Sequence, residues 1–177
     1  MMRAGAQDEL IELLSTGAIH LAVTYDIELS HRVTFEEVAS AAPHVVLPVD
    51  HPLAGEASVR LRQLADEPLI GLDLALSREY FVSLFLHERV SYDPRYKVRD
   101  IELARCAVGN GLGWSLVNLV PPHSMAVDGS GVVYVPLRSR HPPLGLGIAS
   151  LRGRRQPASV AEVRQTIRDV LGDLTNR

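Results

Sequence analysis

Hydrophobic residues recur at helical spacing in several stretches of the chain, and each stretch begins or ends at a residue typical of a helix terminus. Three leucines share one side of residues 7–16, and Gly17 follows as a C-terminal stop. Ser77 and Asp100 are residue types that favour the N-cap position, and an apolar stripe follows each of them. The pattern therefore predicts helices over residues 7–16, 78–89 and 101–109.

The last predicted helix has the clearest N-terminal sequence signal. Ser159 and Glu162 have the spacing of a capping box, and Pro157 precedes them. Apolar residues then follow at helical spacing: Val160, Val163, Ile167, Val170 and Leu171.

Short, wholly apolar runs separate the helices and are typical of buried strands. Thr34 and Glu37 leave one segment open, because their spacing fits a capping box while residues 33–39 also alternate as a strand does. Since apolar strands alternate with single helices, the chain is predicted to be α/β with mainly parallel sheets. The predicted strands are residues 19–25, 45–48, 68–72, 114–117, 132–135 and 144–149.

Composition narrows the class of protein. The 177 residues suffice for one domain or two small lobes, and 46% hydrophobic residues suffice for a core. A net charge of −3 argues against a stand-alone nucleic-acid binder, which normally carries a basic face. The single cysteine, Cys106, excludes an internal disulfide and suits a reducing cytoplasm. No apolar run is long enough for a membrane span.

The sequence contains no recognisable catalytic or metal-binding constellation. The seven histidines show no ligand spacing, and residues 109–113 fit a glycine-rich helix terminus better than a nucleotide loop. Arg152, Arg154 and Arg155 form a short basic run, which we interpret as a solvated loop, with phosphate binding as the alternative. We therefore predict no catalytic residue, no metal and no cofactor.

The remaining candidates for chemistry lie at the carboxyl ends of predicted strands, where open α/β folds bind ligands. Tyr25 and Asp26 follow one strand, and residues 73–78 follow another and lead into a helix. The Ser77 hydroxyl and Arg78, with backbone N–H groups there, could hold a carboxylate or another anion. The alternative for Ser77 is simple helix capping.

Four segments in order resemble motifs of one protein family. Residues 17–22 resemble "G-x-I-D-L-A", with His20 in place of the acidic residue, and residues 48–54 resemble "P-x-x-H-P-L-A". Residues 61–70 resemble "L-x-D-L-A-x-E-P-L-I", and residues 108–116 resemble "V-x-x-G-L-G-x-x-L-L-P". Together they resemble the effector-binding domain of LysR-type transcriptional regulators over essentially the whole chain.

The resemblance implies a two-lobed fold like that of type II periplasmic binding proteins, with a mainly parallel sheet flanked by helices in each lobe. Residues 1–50 and 145–177 would form the first lobe and residues 51–144 the second. The first lobe would be incomplete, lacking its opening strand–helix–strand. The winged helix-turn-helix that binds DNA in the family has no counterpart in this chain, which the resemblance therefore makes an N-terminally truncated regulator.

The resemblance also implies the function and its residues. A small polar or anionic effector would bind between the lobes and control DNA binding by the missing domain, in a cytoplasmic homodimer with no enzymatic activity. Asn118 stands where the family usually has proline. The alternatives are a stand-alone binding protein or dehydratase-like enzyme on the same fold, and a non-functional remnant. The implied effector contacts are Tyr25, Asp26, Leu76, Ser77, Arg78, Asp100, Ile101, Asn118 and Ile148.

Overall fold

A computed structural model describes residues 2–73 and 75–175, apart from the side chains of residues 75–77, 174 and 175. The chain forms two compact units, and the backbone passes between them twice. The first unit combines Met1–Ala41 with Leu144–Arg177, and the second is Ala42–Pro143.

The first unit is a three-stranded sheet with two helices. Its strands are β1 (Ala22–Tyr25), β2 (Val33–Ala41) and β8 (Leu144–Leu151), and its helices are α1 (Gln7–Thr16) and α4 (Ala158–Thr175). Strand β8 lies in the centre and pairs antiparallel with both neighbours. Helix α1 ends at Gly17, whose left-handed φ of 76° fits a glycine C-cap.

The two faces of this sheet carry different helices because successive strand residues point to opposite sides. Ala149 belongs to the apolar cluster with Leu14 of α1. Its neighbour Ser150 instead accepts a hydrogen bond from Arg164 of α4 at 3.1 Å. Helix α1 therefore covers one face of β8 and α4 the other.

The second unit contains a five-stranded mixed sheet in the order β5-β4-β6-β3-β7. Strand β4 runs parallel to β5 and β6, whereas β3 runs antiparallel to β6 and β7. Two helices, α2 and α3, connect the parallel strands, and a 3-10 helix over Leu61–Leu64 precedes β4. The elements are β3 (His44–Pro48), β4 (Leu69–Leu72), α2 (Ala75–Glu88), β5 (Pro94–Val98), α3 (Ile101–Gly109), β6 (Trp114–Val117) and β7 (Val132–Pro136).

The core of the second unit lies on both sides of its central strands. Trp114 is buried, its ring stacks on Phe85 of α2, and its indole N–H donates to the Glu67 carbonyl at 3.3 Å. Strand β3 is buried at its three central residues, and β4 is buried throughout, as expected for strands covered on both faces.

The prediction of mainly parallel sheets is wrong. The first sheet is antiparallel throughout and the second is mixed. A wholly apolar run indicates burial on both faces, and here the antiparallel strands β3 and β8 are buried in this way as well. The parallel rule applies only to strands joined by a crossover helix, whereas β2 leads directly into β3, and β7 leads into β8 with no helix between them.

Two predicted helix starts are also wrong. Helix α2 begins at Ala75, so Ser77 lies inside the first turn and is not the N-cap. Helix α4 begins at Ala158, so Ser159 is already helical and is not the N-cap. Residues 33–39 belong to strand β2, which resolves the alternative left open by Thr34 and Glu37.

Candidate functional site

Three polar residues follow three neighbouring parallel strands of the second unit. Asp73 follows β4, Asp100 lies two residues beyond the end of β5, and Asn118 follows β6. Because β5, β4 and β6 are parallel, their carboxyl ends meet at one edge of the sheet, which we call the carboxyl edge. Four of the predicted effector contacts lie at this edge: Arg78, Asp100, Ile101 and Asn118.

Asp73 ties β4 to β5 and to the start of α2. Its backbone N–H donates to the Val98 carbonyl at 2.7 Å. Its carboxylate accepts a hydrogen bond from Arg78 at 3.1 Å. Half of the Arg78 side chain is exposed, so the guanidinium keeps donors that face solvent.

Asp100 caps helix α3. One oxygen of its carboxylate accepts hydrogen bonds from the backbone N–H groups of Glu102 at 2.7 Å and Leu103 at 3.1 Å. The prediction of Asp100 as N-cap is therefore confirmed. Ile101, the first helical residue, is half-buried.

Asn118 is buried at the end of β6. Among the described residues, no donor lies within hydrogen-bonding distance of its side-chain oxygen. A buried amide oxygen without a partner costs about 1–3 kcal/mol. A ligand that donates a hydrogen bond there would recover that free energy.

The first unit holds the other predicted contacts at the end of β1. Tyr25 pairs with Leu146 of β8, and burial raises the pKa of its hydroxyl. Gln7 donates from its side chain to the carbonyls of Tyr25 at 3.4 Å and Ile27 at 2.6 Å. The segment that carries Tyr25 and Asp26 is therefore tied to α1.

Ile148 lies on β8, two residues beyond Leu146, the partner of Tyr25. It pairs with Val23 and is completely buried. It shares a face of the strand with Ser150, the face covered by α4. The side chains of Leu76 and Ser77 lie outside the described residues.

Sequence reasoning missed a buried cation in the second unit. The Arg105 side chain pairs with Glu102 and donates to the carbonyls of His123 and Met125, each at 2.7 Å. Its guanidinium carbon lies 6.0 Å from the centre of the Tyr134 ring. Burial raises the pKa of Tyr134, against the opposing effect of Arg105. No local pattern signals this site, because the carbonyl acceptors lie in a loop 18 and 20 residues away.

Among the residues that the structure describes, no helix is long and apolar enough to cross a membrane. The family model "LysR substrate binding domain" matches residues 2–172. The chain belongs to this family. The family is one of regulatory domains and not of enzymes, which sets aside the dehydratase-like alternative.

Three relatives illustrate the similarity. The Hca operon transcriptional activator HcaR of Escherichia coli K12 is 27% identical in an alignment 172 positions long, which covers 89% of this chain and 57% of HcaR. HinK, a LysR family transcriptional regulator from Pseudomonas aeruginosa, has 35% sequence identity to this chain. Its crystal structure superimposes on this chain with a TM-score of 0.88, and the match covers 97% of this chain and 59% of HinK.

The effector-binding domain of QuiR in complex with shikimate shares the fold. Its TM-score is 0.77 at 19% identity, with 96% of this chain and 79% of that domain covered. The present chain spans less than two thirds of the length of HcaR and of HinK.

Proposed function

We propose that this domain senses a small polar or anionic effector that binds at the carboxyl edge of β5, β4 and β6. The observation that carries the proposal is the buried side-chain oxygen of Asn118, which has no hydrogen-bond donor among the described residues. Buried polar atoms in folded proteins nearly always have partners, and each exception calls for an explanation, such as a ligand, an ion or an ordered water. An effector with a hydroxyl or ammonium group would supply the missing donor.

Arg78 is the group at this edge that favours an anionic part of the effector, beside the carboxylates of Asp73 and Asp100. Arg78 is half exposed and shares its guanidinium with a single carboxylate oxygen of Asp73. Since a guanidinium has five N–H donors, enough remain for a bidentate contact with a carboxylate. The shikimate bound by the QuiR domain, which has this fold, combines both kinds of group and supports this class of ligand.

Tyr25, Asp26 and Ile148 of the first unit, and Leu76, Ser77 and Ile101 of the second, are proposed effector contacts on the family resemblance. We also propose that the domain acts as a homodimer and controls DNA binding by a winged helix-turn-helix, so that the effector shifts the population of two regulatory states. Membership of the LysR family supports this role.

The experiment is a thermal-shift and calorimetric titration with shikimate, benzoate and short dicarboxylates as probes. We expect at least one probe to raise the unfolding temperature, and Asn118→Ala and Arg78→Gln each to weaken its binding about tenfold. Asn110→Ala is the matched control, because Asn110 caps the opposite end of α3. If every probe fails, or if Asn118→Ala and Asn110→Ala bind equally well, the carboxyl edge is not the effector site.

A further inference from the structure

A cavity of about 570 Å³ in the second unit is lined mainly by arginines. Five exposed arginines and one glutamate line it, although the whole chain has a net charge of −3. This cavity, which we call the arginine cavity, shares no lining residue with the carboxyl edge described above. Its charged residues are Arg60, Arg62, Arg89, Arg138, Arg140 and Glu88.

Backbone pairing fixes one wall of the arginine cavity. Val59 and Leu137 form an isolated parallel bridge, and the N–H of Arg138 donates to the Val59 carbonyl at 2.7 Å. This places Arg60 beside Arg138. Arg140 follows two residues later on the same chain segment and lines the same cavity.

The C-terminal end of α2 provides the other wall. Arg62 donates from Nε and Nη2 to the Glu88 carbonyl, both at 3.2 Å, so its side chain is held at the helix end. Arg89 follows with a left-handed φ of 54°. This conformation ends the helix, because the N–H groups of Arg89 and Val90 donate to the Leu86 and Phe85 carbonyls at 3.1 and 3.0 Å.

The arginines of this cavity lack ion-pair partners among the described residues. In the part of the chain that the structure describes, none of the five makes an ion pair, whereas Arg78, Arg105, Arg164 and Arg168 all do. Guanidinium groups stay protonated at any physiological pH, so neighbouring ones repel each other. A multivalent anion would relieve this repulsion and gain several charge-assisted hydrogen bonds.

We infer that the arginine cavity binds a small, multiply charged phosphate. Arginine forks match phosphate oxygens two at a time, and the volume falls within the range of small-molecule sites. Nucleic acid fits less well, because a concave site on a chain of net negative charge offers no extended basic surface. The inference does not depend on the proposed effector or on its site.

The test is isothermal titration of the full chain with pyrophosphate and, separately, with adenosine 5′-diphosphate. We expect saturable binding of one equivalent that weakens as salt is added. Arg138→Gln with Arg140→Gln should lower the affinity at least about tenfold. Arg3→Gln with Arg155→Gln is the matched control, because it removes the same two charges from exposed positions in the first unit. This control should change the affinity less than about twofold.

Comparison of the two probes identifies the source of the phosphate, since tighter binding of the nucleotide would assign an organic diphosphate. The absence of saturable binding for both probes would overturn the inference, as would equal weakening in the two double variants. Binding that strengthens with the length of a DNA oligonucleotide would also overturn it. Should the first double variant unfold, Arg60→Gln with Arg89→Gln tests the same cavity from its other residues.

Discussion

Asp26 and Gly145 bind each other in both directions. The Asp26 carboxylate accepts a hydrogen bond from the Gly145 N–H at 2.8 Å, and the Asp26 N–H donates to the Gly145 carbonyl at 3.0 Å. A Cβ on residue 145 would lie 2.9 Å from the Asp26 carboxylate, so a larger residue there would require the carboxylate to move. The pair joins the end of β1 to the start of β8, which gives Asp26 a structural role besides its proposed contact with an effector.

Substitution of Asp26 should separate these two roles. Asp26→Ala removes the acceptor of the Gly145 N–H and should lower the free energy of unfolding by about 1 kcal/mol. Asp26→Asn retains an acceptor oxygen and should stay within about 0.5 kcal/mol of the original protein. Far-ultraviolet circular dichroism in urea is the suitable measurement, because the only tryptophan lies in the second unit.

The same two variants test the effector contact. If the negative charge of Asp26 contacts the effector, Asp26→Asn should keep its stability and bind the most effective probe more weakly. Equal unfolding midpoints for Asp26→Ala and Asp26→Asn would contradict the structural role of the hydrogen bond.

Glu36 should make the stability of the first unit depend on acidic pH. Hydrogen bonds from Arg168 and Arg164 of α4 lower the pKa of Glu36 below its ordinary value of 4.5. Because the folded pKa is the lower one, the pair stabilises the fold above the unfolded pKa, and this contribution is lost as pH falls through the folded pKa. We expect Glu36→Gln to lower stability at neutral pH by less than about 1 kcal/mol, since the pair is partly exposed.

Urea titrations from pH 7 down to acid measure this dependence. The difference between the original protein and Glu36→Gln should shrink as the pH falls. Glu37→Gln removes the same charge from an exposed side chain that makes no ion pair to the described residues, and it should show no such trend. A constant difference across the pH range would refute the role of Glu36.

Local sequence signals predicted the first and last residues of some elements correctly. Helix α3 spans the predicted 101–109, because Asp100 is its cap, and β6 spans the predicted 114–117. Edge strand β5 was missed, because its residues are mostly exposed and polar and show no apolar run. Hydrophobic patterning detects buried strands and overlooks those at the rim of a sheet.

The sequence predicts only those parts of the candidate site that directly follow a recognisable strand. Asp73 and Asn118 follow the apolar strands β4 and β6, so their common edge follows once these two strands are known to be parallel. Asp100 follows β5, which the apolar pattern does not reveal. The arginine cavity and the partners of Arg105 depend on pairings between distant segments, such as Val59 with Leu137. No local periodicity encodes such pairings.

Arg105 should be among the most sensitive positions of the second unit. Its side chain is 5% exposed and holds Glu102 together with two carbonyls of the loop before β7. Arg105→Met would leave the Glu102 carboxylate and both carbonyls without their partner, so we expect a loss of about 3–5 kcal/mol. Trp114 fluorescence in urea reports this loss directly, since Trp114 is buried in the same unit.

Arg99→Met serves as the control for Arg105→Met. Arg99 is exposed, and its replacement should change stability by less than about 0.5 kcal/mol. A similarly small loss for Arg105→Met would mean that the buried cation does not hold the loop.

Substitutions of Asp100 should distinguish its role as the cap of α3 from any contact that it makes with an effector. Asp100→Ala removes the acceptor for two backbone N–H groups and should lower the free energy of unfolding by about 1 kcal/mol. Asp100→Asn retains a good cap and loses only the favourable charge at the helix N-terminus, so we expect a loss of about 0.5 kcal/mol. Asp93→Ala, at an exposed aspartate in the same unit, should be nearly neutral.

Trp114 fluorescence in urea gives the stabilities, and titration with the most effective probe gives the affinities. One oxygen of the Asp100 carboxylate accepts both backbone donors, and asparagine retains such an oxygen, so we expect Asp100→Asn to bind the probe nearly as well as the original protein. A large loss of affinity in Asp100→Asn with an unchanged unfolding midpoint would instead show that the effector contacts the charge itself. Equal stability of Asp100→Ala and Asp93→Ala would mean that the cap contributes nothing measurable to α3.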